Sequence, residues 1–421
     1  MLGCGNVGAA LVELVAERAP AIEARTGLRL EVARVAVRNL SKDRPVDLPD
    51  GVLTRDAAGV VEDPSIDVVV ETIGGIEPAR ELILAALKAG KPVVTANKEL
   101  LANVGAEVFA AAEVAGRDLL FEAAVAGGIP IIRPLRESLV GEPLRRVLGI
   151  VNGTTNYILS RMTDAGVSYA EALSEAQRLG FAERDPTADV EGHDAAAKAA
   201  IIASIAFGVR VVAGDVYREG ISGITEADIA NARRLGYVVK LLAIAERDDD
   251  GGVAVRVHPA MVPFGHPLAS VSGSYNAVVV EGDAVGQLMF YGRGAGGRPT
   301  ASAVLGDLVD AAVNLRRGAH ATIGTLDKPV LRPIDDTSSE FALTIETADR
   351  PGVLAAVAGV FGTREVSIRS MEQVGLGDEA RLVFITHTAR ESAMQGTVHD
   401  LRQLDAVSRV GGLLRVVGAA P

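Results

Sequence analysis

The sequence predicts an α/β protein with a parallel sheet in its N-terminal part, followed by an α+β unit and a compact βα tail. Three observations carry this reading. Through about residue 120, short apolar runs alternate with Ala-rich helical stretches, the signature of a parallel sheet with right-handed crossovers. Beyond Phe121 the order changes to longer helical segments followed by strand-like stretches. From Phe341, apolar Phe341, Leu343 and Ile345 alternate with Ala342, Thr344 and Glu346, as on a half-buried strand.

In the first part, Leu30–Val37, Val68–Glu71, Pro92–Thr95 and Leu119–Ala123 read as buried strands. Leu11–Ala19 and Glu81–Ala89 have helical periodicity, with Gly90 placed to terminate the second. In the middle, helices are expected around Thr155–Met162, Ala170–Leu179, Ala195–Phe207 and Glu226–Glu246, and strands at Val253–His258 and Ala277–Glu281. A glycine-rich stretch, Gly292–Gly297, precedes a helical run from Thr300 to Leu315, and residues 318–338 read as a linker. In the tail, Asp349-Arg350-Pro351-Gly352 turns into a helix on which Val353, Leu354, Val357, Val360 and Phe361 form one stripe. Val366–Ile368 and Leu382–Thr386 supply further strands.

Composition narrows the function. At 421 residues, with 48% hydrophobic and 23% charged residues, the chain has material for two to three domains, about 150 residues each. The net charge of −12 argues against nucleic acid or an anionic membrane surface as a partner, since both call for a basic face. One cysteine, Cys4, permits neither an intramolecular disulfide nor a multi-cysteine zinc site, and a reducing cytoplasm suits it. The six histidines show no metal-ligand spacing, and neither a G-x-S-x-G elbow nor a Walker A loop occurs.

Four motifs carry chemistry. Gly3-Cys4-Gly5-Asn6-Val7-Gly8 is a G-x-G-x-x-G, whose glycines allow a tight turn and close approach of a pyrophosphate to a helix N-terminus. Only Met1-Leu2 precede it, so a Rossmann-type sheet with a truncated first strand is expected. After the second strand stand Arg38 and Lys42 in place of the acidic residue that favours NAD; they suit a 2′-phosphate, or are two solvated cations. Asp194 and Lys198 lie four apart at the mouth of an apolar helix, beyond Glu183-Arg184-Asp185-Pro186 and Asp189. They form a positioned proton donor with its carboxylate, or an ordinary helix salt bridge. Lys98 falls just past a buried strand, where α/β sheets place ligands. Glu122 opens a glycine-interrupted loop to Pro130 whose carbonyls suit a hard monovalent cation, or simply make a turn.

Together the blocks GCGNVG, TANKELL, FEAAVAGGIPII, GIVNGTTNYIL, GFAERDPTADVEGHDAAAKAAI and YGRGAGGRPTASAVLGDL resemble, in order, those of homoserine dehydrogenases of the monofunctional type with a C-terminal ACT domain. The resemblance implies an NADP-binding Rossmann-type domain from residues 1–120 and 292–317, and a catalytic and dimerisation domain at 121–291. After the linker, it implies a ferredoxin-like ACT regulatory domain at 339–421. It implies reversible NAD(P)H-dependent reduction of L-aspartate 4-semialdehyde to L-homoserine, in a cytoplasmic homodimer or homotetramer, with L-threonine as effector.

Carried over by position, Lys198 is the proton donor, Asp194 its substrate-site carboxylate, Glu183 the ligand of the substrate ammonium, and Lys98 a lysine at the junction of nicotinamide and substrate. Gly3, Gly5, Asn6, Val7, Gly8, Arg38, Lys98, Gly180 and Gly296 are expected at the cofactor, NADP or NAD. Glu122 and the carbonyls of Val125, Gly127 and Ile129 are expected around sodium or potassium. Thr363-Arg364-Glu365-Val366 departs from the ACT pattern, which often has Gly or Asn before its second strand. Two other readings are a non-catalytic amino-acid sensor and another NADP-dependent semialdehyde oxidoreductase. The thioester route of an aspartate-semialdehyde dehydrogenase is disfavoured because Cys4 sits inside the glycine loop.

Overall fold

A computed structural model describes residues 1–375, 377 and 379–418; the last three residues of the expected ACT span lie outside it. The N-terminal unit holds α1 (Asn6–Thr26), β1 (Val35–Ala36), β2 (Leu53–Thr54), α2 (Ala57–Glu62), β3 (Val69–Glu71), α3 (Ala79–Lys88), β4 (Val93–Thr95), α4 (Lys98–Ala115) and β5 (Leu119–Leu120). Its strands are parallel, in two ladders, β1-β2 and β3-β4-β5. Leu2 joins the ladders, bridging in parallel to Ala36 on one side and Glu71 on the other. The sheet therefore does not lose its central member: Met1–Gly3 hold that place through Leu2 N–H to Val70 O, Gly3 N–H to Ala36 O and Thr72 N–H to Leu2 O.

Counting that position, the order runs β2-β1-Leu2-β3-β4-β5, so the chain reverses direction of winding between Leu2 and β3, where such sheets bind dinucleotides. The expected strand Leu30–Val37 contracts to Val35–Ala36. Within it, Val35 and Ala36 pair with Leu53 and Thr54, and the Arg34 carbonyl accepts from the Met1 nitrogen. A cavity of about 610 Å³ lies there, between Leu30, Val32, Val68 and Leu315, away from the lysines described below.

The middle unit contains β6 (Leu144–Ile150), α5 (Gly153–Ala165), α6 (Tyr169–Arg178), α7 (Thr187–Val190), α8 (His193–Phe207), β7 (Tyr217–Arg218), α9 (Glu226–Arg234), β8 (Tyr237–Arg247), β9 (Val253–Pro263), β10 (Tyr275–Gly282) and β11 (Gly286–Arg293). The helix expected over Glu226–Glu246 is thus two elements. Gly236, at φ +87°, breaks it, and Tyr237–Arg247 pair along their whole length with β9. Val239–Ala245 are buried on both faces, so no period distinguished strand from helix. The helix α10 (Gly297–Arg317) then returns to the N-terminal unit, where Ala301, Val304, Leu305 and Ala311 share a core with Leu11, Leu14, Val35, Val70 and Val94.

The tail forms β12 (Ser338–Ala348), α11 (Val353–Thr363), β13 (Ile368–Gly375), β14 (Glu379–Thr386), β15 (Ala389–Arg390), α12 (Glu391–Leu401) and β16 (Val407–Val416). Phe341, Leu343, Ile345, Val357, Phe361 and Phe384 fill its core. Its sheet is continuous with that of the middle unit, because β16 pairs in parallel with β9 through Arg415–Ala260 and Val416–Met261. No helix among the described residues is long and apolar enough to cross a membrane.

Candidate active site

The glycine turn is built for close packing on one side and access on the other. A Cβ on Gly3, which sits at φ +97°, would lie 2.8 Å from the Thr72 carbonyl oxygen, and one on Gly8 would lie 2.8 Å from the Gly3 carbonyl oxygen. Gly5, the N-cap of α1, faces open space, with nothing within 4 Å of where a Cβ would stand. The N–H groups of Asn6, Val7 and Gly8 open that helix, the arrangement that receives a pyrophosphate. Gly297 packs on the Asn6 carbonyl, which brings the exposed Gly296, the N-cap of α10, beside the turn. These residues fit a dinucleotide. Arg38 stands two residues past Ala36, whose carbonyl accepts the Gly3 N–H. It and Lys42 are exposed, with no side-chain partner among the described residues. Arg44, which sequence reading passed over, ties their loop together by donating to the carbonyls of Asn39, Leu40 and Lys42.

At the carboxyl end of β4 a relay of polar groups sets Lys98. Glu71, fully buried, accepts from the N–H groups of Ile73 and Gly74 and from the Thr95 hydroxyl. The Thr95 hydroxyl accepts the Asn97 N–H at 3.1 Å, and the Asn97 carboxamide caps α4 by accepting from Leu100 N–H at 3.1 Å. Lys98 is consequently the first residue of α4, with its half-exposed side chain pointed at the middle unit.

There it meets the mouth of α8. Lys98 Nζ lies 3.1 Å from Asp194 Oδ1, and Lys198 Nζ lies 2.7 Å from Asp194 Oδ2. One nearly buried carboxylate therefore bridges two ammonium groups from different structural units. Lys198 also donates to the Val151 carbonyl at 2.7 Å. Burial alone would raise the Asp194 carboxyl, but the charges of Lys198 and Lys98, with hydrogen bonds from Lys198 and Asn152, hold it far below the usual carboxylate range. The Asp194 charge in turn holds the Lys98 ammonium above its ordinary value. Asp189, beside them, is pushed up by its burial. The i, i+4 pair is thus more than a surface salt bridge, being recruited into an interdomain cluster.

Not every expected residue joins this cluster. Glu183 is exposed, without a side-chain partner among the described residues, and Gly180 is exposed at φ +78°. Their loop is moored beside the cluster by the Thr154 hydroxyl, which donates to the Phe181 carbonyl at 2.7 Å, and by the Tyr157 and Phe181 rings, 4.7 Å apart.

The Glu122 carboxylate, expected from the sequence beside a cation, is largely taken up by the backbone. It accepts three backbone N–H groups, from Ile131, Ile132 and Arg133. What remains are the carbonyls of Val125, Gly127 and Ile129, all in buried residues and none accepting a hydrogen bond from the described residues. Three such oxygens suit a hard monovalent cation. Below them, Asp307 accepts the Glu122 N–H at 2.7 Å, and burial pushes its carboxyl up to about 7.

A dinucleotide turn and a lysine–carboxylate–lysine bridge, both at the carboxyl ends of parallel strands, define a nicotinamide-dependent oxidoreductase that handles a proton at a carbonyl or hydroxyl oxygen. Residues 130–309 match the family described as homoserine dehydrogenase, residues 3–122 the homoserine dehydrogenase NAD-binding domain, and residues 341–406 the ACT domain. A homoserine dehydrogenase of Mycobacterium tuberculosis is 51% identical, over 99% of this chain and 97% of that protein. A crystal structure of a homoserine dehydrogenase from Thiobacillus denitrificans superposes with a TM-score of 0.93 at 43% identity, covering 99% of this chain and 97% of that one. A hyperthermophilic archaeal homoserine dehydrogenase in complex with NADPH gives 0.64 at 30% identity, covering 74% of this chain and 96% of that one. The chain belongs to the homoserine dehydrogenase family, with a nicotinamide cofactor and an ACT domain.

Proposed function

We propose that the protein reduces L-aspartate 4-semialdehyde reversibly to L-homoserine, prefers NADPH, and is restrained by L-threonine acting at its ACT domain. The observation that carries the reading is the Asp194 bridge between Lys98 and Lys198. Bound reduced nicotinamide supplies a hydride to the aldehyde carbon. As the carbonyl π pair moves to oxygen, Lys198 delivers a proton to that oxygen while Lys98 offsets its developing charge. Asp194 holds both ammonium groups at one point, and Lys198 is reprotonated from water. Glu183, on the loop moored to α5, is free to receive the substrate ammonium. In the oxidative direction the neutral Lys198 amine accepts the hydroxyl proton. A thioester route is disfavoured, since burial pushes the Cys4 thiol up.

Arg38, exposed beside the glycine turn, supports NADP over NAD, and the free carbonyls of Val125, Gly127 and Ile129 support a sodium or potassium site. Assembly into dimers or tetramers is supported by two sheet edges that expose apolar side chains, Met289 and Tyr291 on β11 and Met371 and Val374 on β13. A cytoplasmic location accords with a single free cysteine. The test is turnover of the semialdehyde with NADPH and NADH, each with and without L-threonine. Higher kcat/KM with NADPH, narrowed in Arg38→Ala, and inhibition by L-threonine are expected. Equal use of both cofactors, unchanged in the variant, would overturn the NADP assignment, and indifference to threonine the effector.

A further inference from the structure

The Lys198 cluster contains one group with no charge and no freedom. Asn152 ends the turn after β6 and is 5% exposed. Its carboxamide oxygen caps α5, accepting the Thr155 N–H at 2.9 Å and the Thr155 hydroxyl at 3.0 Å. With the oxygen fixed there, the NH2 group can point only the other way. Its two hydrogens go to two different carboxylates, Asp189 Oδ1 at 2.7 Å and Asp194 Oδ2 at 2.9 Å. Asp194 Oδ2 is also the atom that accepts from Lys198.

We infer that Asn152 is the positioning residue of the proton-transfer centre. Its amide separates two carboxylates that would otherwise repel, and aims one oxygen of Asp194 at Lys198. Three features support this over a purely local capping role. The amide hydrogens are spent on α7 and α8, not on α5. The preceding residue, Val151, supplies the second acceptor of Lys198 Nζ, so Val151 and Asn152 together determine where that nitrogen sits. The groups facing the lysine are Asp194 and Asn152 on one side, with the Asp189 charge just behind the Asn152 amide, the Val151 carbonyl on another, and Lys98 across the bridging carboxylate.

The inference rests on Lys198 as the proton donor, and the experiment separates the two. Asn152→Ser and Asn152→Asp both keep a side-chain oxygen suited to capping α5. Ser removes the amide donors, and Asp replaces them with a third carboxylate beside Asp189 and Asp194. Homoserine oxidation is followed across pH in both variants, alongside Lys198→Met and with the KM for NADP recorded. In both Asn152 variants kcat is expected to fall about tenfold or more, with the KM for NADP unchanged, as a small misplacement of a catalytic group does. In Asn152→Asp the added charge also stabilises the lysine ammonium, so the pH limb reporting the base should move upward by about one unit. Wild-type kcat and pH limb in both variants beside an inactive Lys198→Met would overturn the inference alone. Near-normal turnover in Lys198→Met would remove the lysine's role and the inference with it. A loss of fold shared equally by both variants would reduce Asn152 to a cap.

Discussion

Replacing Lys198 with Met keeps most of the side chain's length and apolar stem but deletes the ammonium that reaches Asp194 Oδ2 and the Val151 carbonyl, each at 2.7 Å. Positioned general acids contribute about 10²–10⁴ in rate, or about 2.7–5.4 kcal/mol at 1.36 kcal/mol per decade. A fall in kcat of at least about a hundredfold is therefore expected in both directions of the reaction. The structural cost is smaller. Removing one partner of a buried ion pair costs about 3–5 kcal/mol when the other is left alone. Asp194 is not left alone, because Lys98 Nζ remains 3.1 Å from Oδ1 and Asn152 still donates to Oδ2. A loss of about 1–3 kcal/mol in stability is expected, so the variant folds. NADPH affinity, by fluorescence titration, should be unchanged, and stopped-flow hydride transfer should carry the whole defect. Turnover within about threefold of wild type would refute the assignment, and a defect confined to NADPH binding would relocate Lys198 to the cofactor site.

Three further outcomes follow from groups away from that lysine. Asp307 is raised from 3.8 to about 7 by burial, so between those pH values the unfolded chain loses a proton that the folded chain keeps, and stability falls as pH rises through that window. Asp307→Asn should gain stability relative to wild type progressively from about pH 4 to pH 7, approaching an order of 4 kcal/mol at 1.36 kcal/mol per pKa unit, and denaturation at several pH values checks it. Arg415 pairs through two bonds with Glu391, 1% exposed, and reaches Glu219 of the middle unit at 2.9 Å. Arg415→Met should cost about 3–5 kcal/mol in urea unfolding and blunt any threonine response, since it leaves the buried Glu391 charge with only the Gln395 amide as donor and cuts one of several side-chain ties between units. Glu365 holds φ +56°, a left-handed conformation costly for a side chain, at the point where the ACT pattern often has Gly or Asn. Glu365→Gly should stabilise the tail by about 1 kcal/mol, read as a higher urea midpoint of its unfolding.

Much of the site was legible in the sequence because its chemistry is local. The glycine turn, Lys98 at the end of a buried strand and the Asp194–Lys198 spacing all reside in contiguous segments. What joins them is not local: that Lys98 reaches Asp194 depends on the Glu71–Thr95–Asn97 relay and on two units meeting, and no spacing encodes it. Asn152 went unremarked for the same reason, since its partners lie 37 and 42 residues away. Glu122 shows the converse. A carboxylate beside glycines suggested a ligand, whereas the fold spends it on the N–H groups of residues 131–133. The misread helix over Glu226–Glu246 reflects a strand buried on both faces, where hydrophobicity has no period to read.

The most direct test of the central claim, that the two bridged lysines form a working catalytic centre, is NADPH consumption by the purified protein supplied with L-aspartate 4-semialdehyde. Steady turnover yielding L-homoserine, lost in Lys198→Met while NADPH still binds, is the result predicted. Tight NADPH binding with no turnover of the semialdehyde by the wild-type chain would contradict it and leave an amino-acid-sensing protein in place of an enzyme.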